Sequence, residues 1–78
     1  MIWITNASYL GEYKIEFQFN DTNKGIVNIE SILDKHIFSP QKNVDYFKNF
    51  KLNAWTIEWD NGADFSPEFL LSQLNKQQ

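Results

Sequence analysis

Apolar and polar residues alternate with period two over Tyr13, Ile15, Phe17 and Phe19, set against Lys14, Glu16, Gln18 and Asn20. That is the pattern of a strand with one buried and one wet face, and it is the clearest one in the chain. Residues 2–9 also read as a strand, but its inward face is left open, because Ile2 and Ile4 compete with Trp3 and Tyr9. Gly11-Glu12 supplies the turn between the two. Asp21-Thr22-Asn23-Lys24-Gly25 is turn chemistry again, and Ile26, Val27 and Ile29 predict a third strand pairing back on the second. The result is an antiparallel three-stranded unit.

The spacing then becomes helical. Ile29, Ile32, Leu33 and Ile37 predict a short helix over 30–36, with Asn28 or Ser31 as its cap. Ser39-Pro40 and Gln41-Lys42-Asn43 form a loop, followed by a single turn in which Val44 and Phe47 share a face. Phe50, Leu52 and Ala54 lie in even register, whereas Trp55, Ile57 and Trp59 are odd and alternate with Thr56, Glu58 and Asp60. The inward face must therefore flip near Asn53-Ala54, by a bulge or a tight turn.

The densest stretch runs from Trp59 to Leu70. Asn61-Gly62 offers the two residue types that most easily take positive φ, which predicts a two-residue type I′ turn. Ser66 is placed to cap a helix and Pro67 to open it without losing a needed donor. Phe65 and Leu70 have the spacing of a hydrophobic staple, and Glu68 suits the positive end of the helix dipole. Leu70, Leu71 and Leu74 form one stripe, and 75–78 are expected to fray.

Trp59, Gly62, Asp64, Phe65, Ser66, Pro67 and Glu68 together resemble the terminal signature of a small bacterial family, domain of unknown function 2442. The resemblance extends loosely over most of the chain, including the turn before Gly25-Ile26-Val27-Asn28-Ile29 and the aromatic pair Tyr46-Phe47. The chain departs from the family's habit at Asp60, where Pro is common, at Asn28, where Asp is common, and at Leu71, where Tyr is frequent. The resemblance favours a turn at the register flip, making 49–52 and 55–59 a second hairpin. The fold expected is a single α+β domain over 1–78. It has an antiparallel sheet of about five strands in two hairpin units, a short middle helix and a C-terminal helix. About function the resemblance implies little: some members resemble antitoxins encoded beside a small toxin-like protein, and some carry a helix-turn-helix domain.

Composition narrows the chemistry. A chain of 78 residues builds one core and buries roughly 60% of the surface its unfolded form exposes. Three Trp and seven Phe make that core bulky and leave aromatic surface over. The absence of cysteine excludes disulfides, thiolate metal sites and a Cys nucleophile. Net charge is −3, and all seven basic residues are scattered Lys, so neither a guanine-reading fork nor a phosphate-neutralising run is present. No nucleic-acid binding by the chain itself is expected. Met1-Ile2-Trp3-Ile4 lacks the parts of a signal peptide and no apolar run has membrane-spanning length, which points to the cytoplasm.

No catalytic, cofactor or metal constellation emerges, and an enzyme is not expected. A Ser-His-Asp arrangement would need His36, the one histidine, which sits beside Ile37-Phe38 at the end of the expected helix. Glu58, Asp60, Asp64 and Glu68 are the better cluster, but Asp60-Asn61-Gly62-Ala63-Asp64 lacks the spaced ligands and distal Glu of a calcium loop. Asp64 is expected instead to bond backbone amides around the turn and the cap. Two classes of function are carried forward. One is a protein-interaction module, either a two-fold homodimer or the partner of a toxin-like protein, with Trp3 and Phe50 as the candidate surface. The other is a small-ligand binder stacking on Trp3, Trp55 or Trp59.

Overall fold

A computed structural model of the chain describes residues 1–34 and 40–76. The alternating segments form β1 (Ile4–Gly11), β2 (Lys14–Phe19) and β3 (Lys24–Asn28), an antiparallel sheet in the order β1-β2-β3. Ile15, Phe17 and Phe19 are buried as their period requires. Ile15 lies opposite Val27, which is also buried, and Phe17 lies opposite Gly25. Lys24 and Gly25, read above as turn residues, belong to β3. The turn itself is held by Asp21, whose carboxylate accepts from the main-chain and side-chain nitrogens of Asn23, each at 2.8 Å.

The open question about β1 has a local answer. Its pairing with β2 shifts between Ile4 and Asn6, from Ile4 opposite Phe19 to Asn6 opposite Gln18, so one extra residue is inserted at Thr5. A bulge of this kind reverses which parity faces the core. Ile2 and Ile4 point inward before it, and Ala7 and Tyr9 pack against the core after it. Trp3 is left on the exposed side. No single period could describe that strand.

Of the helix expected over 30–36, the described part is a 3-10 turn, Glu30–Asp34. Asn28 caps it through Oδ1, which accepts from the Glu30 amide at 3.0 Å, and Leu33 is buried beneath it. The remainder, with His36 and Ile37, lies outside the described residues, as do 77–78 of the expected frayed end. A one-turn helix α1 (Val44–Phe47) follows, capped by Asn43, whose Oδ1 accepts from the amides of Asp45 and Tyr46. Only Phe47 of its expected apolar pair is buried, and Val44 remains exposed.

The second hairpin is β4 (Lys51–Leu52) paired with β5 (Ile57–Glu58). The five strands thus fall into sheets of three and two. The register flip is the turn over 53–56, where Asn53 Oδ1 accepts from the amides of Trp55 and Thr56, both at 2.8 Å. This corrects the odd-register reading at one position. Trp55 sits in the turn and is 54% exposed, while Thr56 takes the inside place and donates its hydroxyl to the Phe65 carbonyl at 2.6 Å. The two sheets meet where the Ile4 amide donates to the Trp55 carbonyl at 2.7 Å.

Helix α2 (Pro67–Lys76) closes the core by laying Leu70 and Leu74 against β3. The approach is close. A Cβ built on Gly25 would lie 2.8 Å from Leu74 Cδ2, inside contact distance, so the buried Leu74 side chain would have to turn aside to admit it. Gly25→Val should therefore destabilise the protein by about 1–3 kcal/mol through overpacking. In urea denaturation, Leu74→Ala should recover part of that loss, so the two changes should be non-additive. Simple additivity would show that the strand and helix do not compete for this space.

Candidate functional site

The residues from Trp59 to Glu68, on which the resemblance rests, fold around Trp59. Its indole is buried and surrounded by three rings: Phe47 at 5.7 Å between centroids, Phe65 at 5.8 Å and Phe50 at 6.4 Å. The last two meet it nearly edge to face, the arrangement that the ring quadrupoles favour. Its one polar atom is used as well, since Nε1 donates to the Phe47 carbonyl at 2.9 Å. Tyr13 and Tyr9 extend the cluster through Phe47, at 5.3 and 6.1 Å. Phe69 extends it on the other side by stacking on Phe65 at 5.8 Å. Trp59 is thereby committed to the core and has no face to offer a ligand.

The turn after Trp59 is tight, but it is not type I′. A type I′ turn needs positive φ at both central residues, and Glu12 is the one non-glycine with positive φ among the described residues. The Gly62 amide donates to the Trp59 carbonyl at 2.9 Å, and the Trp59 amide donates to the Ala63 carbonyl at 3.0 Å. Asp60, Asn61 and Gly62 therefore form a three-residue loop in which only Gly62, with φ 86°, enters the left-handed region. Asn61 spends its side chain on fixing the loop. Its Oδ1 accepts from the Ala63 amide at 3.1 Å and from Gln41 Nε2 at 2.9 Å, and its Nδ2 donates to Gln41 Oε1 at 3.4 Å.

Gln41 is fully buried, and Tyr46 adds a further tie by accepting the Asn61 amide on its hydroxyl at 3.0 Å. Tyr46 stood out only as one of the aromatic pair with Phe47, and Gln41 not at all. Gln41 lies in a polar, aperiodic stretch, where nothing in the local pattern separates a buried glutamine from a solvated one.

Ser66 caps α2 as expected, its Oγ accepting from the Phe69 amide at 3.1 Å. Pro67 follows half-buried, and Glu68 is exposed in the first turn. Asp64 departs from expectation. It joins the fold through its main chain, in an isolated bridge with Glu58, while its carboxylate is exposed and makes no hydrogen bond among the described residues. The amides of Ala63 and Phe69, in the turn and the cap, are taken instead by Asn61 and Ser66. Asp60 pairs with Lys51 at 3.4 Å, both side chains being largely exposed, so the pair contributes little.

No group of three or more His, Cys, Asp or Glu side chains is placed to hold a metal among the described residues. A shallow cavity of about 150 Å³ is lined by Tyr13, Glu30, Leu33 and Lys42. Of the two candidate surface residues, Phe50 is half-buried against Trp59 and Trp3 stands at 36% exposure. Trp55, Leu52 and Phe69 are also exposed. Hydrogen bonds and one ring contact link the segments that carry them. Trp3 precedes Ile4, which is bonded to Trp55; Leu52 enters the same turn; and Phe69 stacks on Phe65, whose carbonyl receives Thr56.

A family model described as "Protein of unknown function (DUF2442)" matches residues 4–75, nearly the whole chain. No curated protein and no solved structure matches it. No helix among the described residues is long and apolar enough to cross a membrane.

Two outcomes follow for the signature. Ser66→Ala should cost about 1 kcal/mol and Ser66→Gly only a few tenths, read from urea midpoints. Equal midpoints for wild type and Ser66→Ala would show that the cap contributes nothing. Gly62→Val should cost at least about 1–2 kcal/mol, because a β-branched residue must then adopt φ near 86°. Wild-type stability for that variant would mean that the loop relaxes to negative φ at no cost.

Proposed function

We propose that this chain, which belongs to the DUF2442 family, acts as a small protein-interaction module. The supporting observation is the division of labour among its aromatics. Trp59, Phe47 and Phe65 are used up in the core, whereas Trp3, Leu52, Trp55 and Phe69 remain exposed, on segments linked by the Ile4–Trp55 and Thr56–Phe65 hydrogen bonds and the Phe65–Phe69 stack. Exposed Trp and Phe grouped in this way are the residues that anchor interfaces, because each buries a large area at a small cost in side-chain entropy.

The partner expected first is a second copy. A two-fold interface sets the same patch against itself, so charge within it is penalised in a chain of net charge −3. Trp3, Leu52, Trp55 and Phe69 are uncharged, and the turn over 53–56 contains no charged residue. The resemblance to antitoxin-like members supplies a hetero-partner, a toxin-like protein, docking on the same surface. With Trp59 buried, stacking of a small ligand would have to use Trp3 or Trp55, and that is the alternative reading.

Sedimentation equilibrium at micromolar concentration should give twice the 9.3 kDa chain mass. Trp55→Ser should return the monomer mass while leaving the thermal midpoint within a few degrees, since the residue is exposed. A wild-type monomer at every concentration would remove the homodimer and leave the hetero-partner, to be sought by capture from the native cell with Trp55→Ser as the control. Equal capture by wild type and Trp55→Ser would remove the surface.

A further inference from the structure

Asn61-Gly62 is the one place in the chain where a glycine follows an asparagine. With no Cβ on the following residue, its main-chain nitrogen reaches the asparagine side chain more easily than in any other pair. The reaction is an intramolecular acyl transfer. Gly62 N attacks Asn61 Cγ, a new C–N bond closes a five-membered succinimide, the Cγ–Nδ2 bond breaks, and ammonia leaves carrying the proton that Gly62 N gives up. Water then opens the ring at either carbonyl, leaving an aspartyl or an isoaspartyl residue. Both positions are exposed, so solvent is at hand.

The fold restrains each atom this reaction needs. Gly62 N–H is engaged with the Trp59 carbonyl at 2.9 Å. Asn61 Oδ1 is held by the Ala63 amide and Gln41 Nε2, Nδ2 by Gln41 Oε1, and the Asn61 amide by the Tyr46 hydroxyl. Rotating Cγ toward Gly62 N means breaking these contacts together, so the pair reacts from an opened turn and not from the closed one. We propose that Asn61-Gly62 is a spontaneous deamidation site kept shut by this hydrogen-bonded loop, and that its conversion uncouples the Gln41 segment from the hairpin.

The uncoupling follows from donor and acceptor counting. A carboxylate at 61 has no donor, so Gln41 Oε1, on a fully buried side chain, loses its partner and faces a charged acceptor. An isoaspartyl linkage also lengthens the main chain inside the loop and removes the spacing that lets Gly62 donate to Trp59. The change is irreversible without a repair activity, which makes it a record of how often the loop has opened. This inference does not rest on the binding reading, since none of these residues belongs to the exposed aromatic patch.

The test is incubation of the full chain at mildly alkaline pH, folded and in urea, followed by peptide mass mapping of residue 61. Conversion in urea should exceed that in the folded protein by roughly tenfold or more, the protection expected of a locally closed unit. Gln41→Ala and Tyr46→Phe should each raise the folded-state rate toward the urea rate. Circular dichroism identifies a variant that has unfolded globally, and the other variant then decides. The Asn61→Asp chain should show a lowered thermal midpoint. No conversion in urea would overturn the site, and equal rates folded and unfolded would overturn the protection. Wild-type rates in both folded variants, or an unchanged midpoint for Asn61→Asp, would overturn the role of the Gln41 contact.

Discussion

The contact between Trp59 and Phe47 is the one on which the rest of this small protein depends. The indole satisfies its N–H on the Phe47 carbonyl at the end of α1, so a ring-to-ring contact is also a main-chain anchor. Dispersion and burial supply most of the attraction, and the hydrogen bond removes the cost of burying a polar atom. Everything beyond α1 is oriented by that one side chain. The hairpin turn follows it directly, Phe65 and α2 follow the turn, and Tyr9 of β1 and Tyr13 of the turn after it pack edge-on against Phe47. A chain of this size has no second core to hold these pieces if the contact is lost.

Polar groups inside the structure are few and matched. No buried side-chain nitrogen or oxygen lacks a partner among the described residues, including those of Thr56 and Gln41. Each of these two joins segments that the apolar core alone would leave independent. Thr56 holds the second hairpin to the entry of α2, and Gln41 holds the loop before α1 to the hairpin turn. Hydrophobic burial is indifferent to direction, whereas these hydrogen bonds are not, so they fix how the pieces are turned relative to one another.

Much of the fold was legible because it is written in short periods. The strand over Ile15, Phe17 and Phe19, the cap at Ser66 and the stripe of Leu70, Leu71 and Leu74 each depend on residues close together, and each appears where the pattern puts it, with Leu71 at the half-buried margin of its stripe. The failures share a cause. The bulge at Thr5 is decided by the register with β2, and the position of Trp55 by the turn that Asn53 holds, and alternation of apolar and polar residues carries no trace of either. The Asn-Gly dipeptide was read as type I′ because its residues permit it. The pairing of Trp59 with Ala63 left three residues to make the reversal instead of two, so positive φ fell on Gly62 alone. The exposed aromatics were expected in kind, but only packing could tell Phe50, which is half-buried, from Trp55, which is not.

The hydrogen bond from Ile4 to the Trp55 carbonyl has a bearing on the order in which the molecule assembles. The three-stranded unit uses neighbouring segments joined by tight turns, contacts that close small loops at little entropic cost. The second hairpin has only two residues in each strand, too little to persist alone in water. Its edge must wait for β1 to be in place, and it joins a strand from the opposite part of the chain. The three-stranded unit is thus the part whose contacts are local, and the second hairpin is the part that depends on a strand far from it in sequence. Loss of the Ile4–Trp55 hydrogen bond would loosen that hairpin first, and local opening of the molecule is expected to begin there.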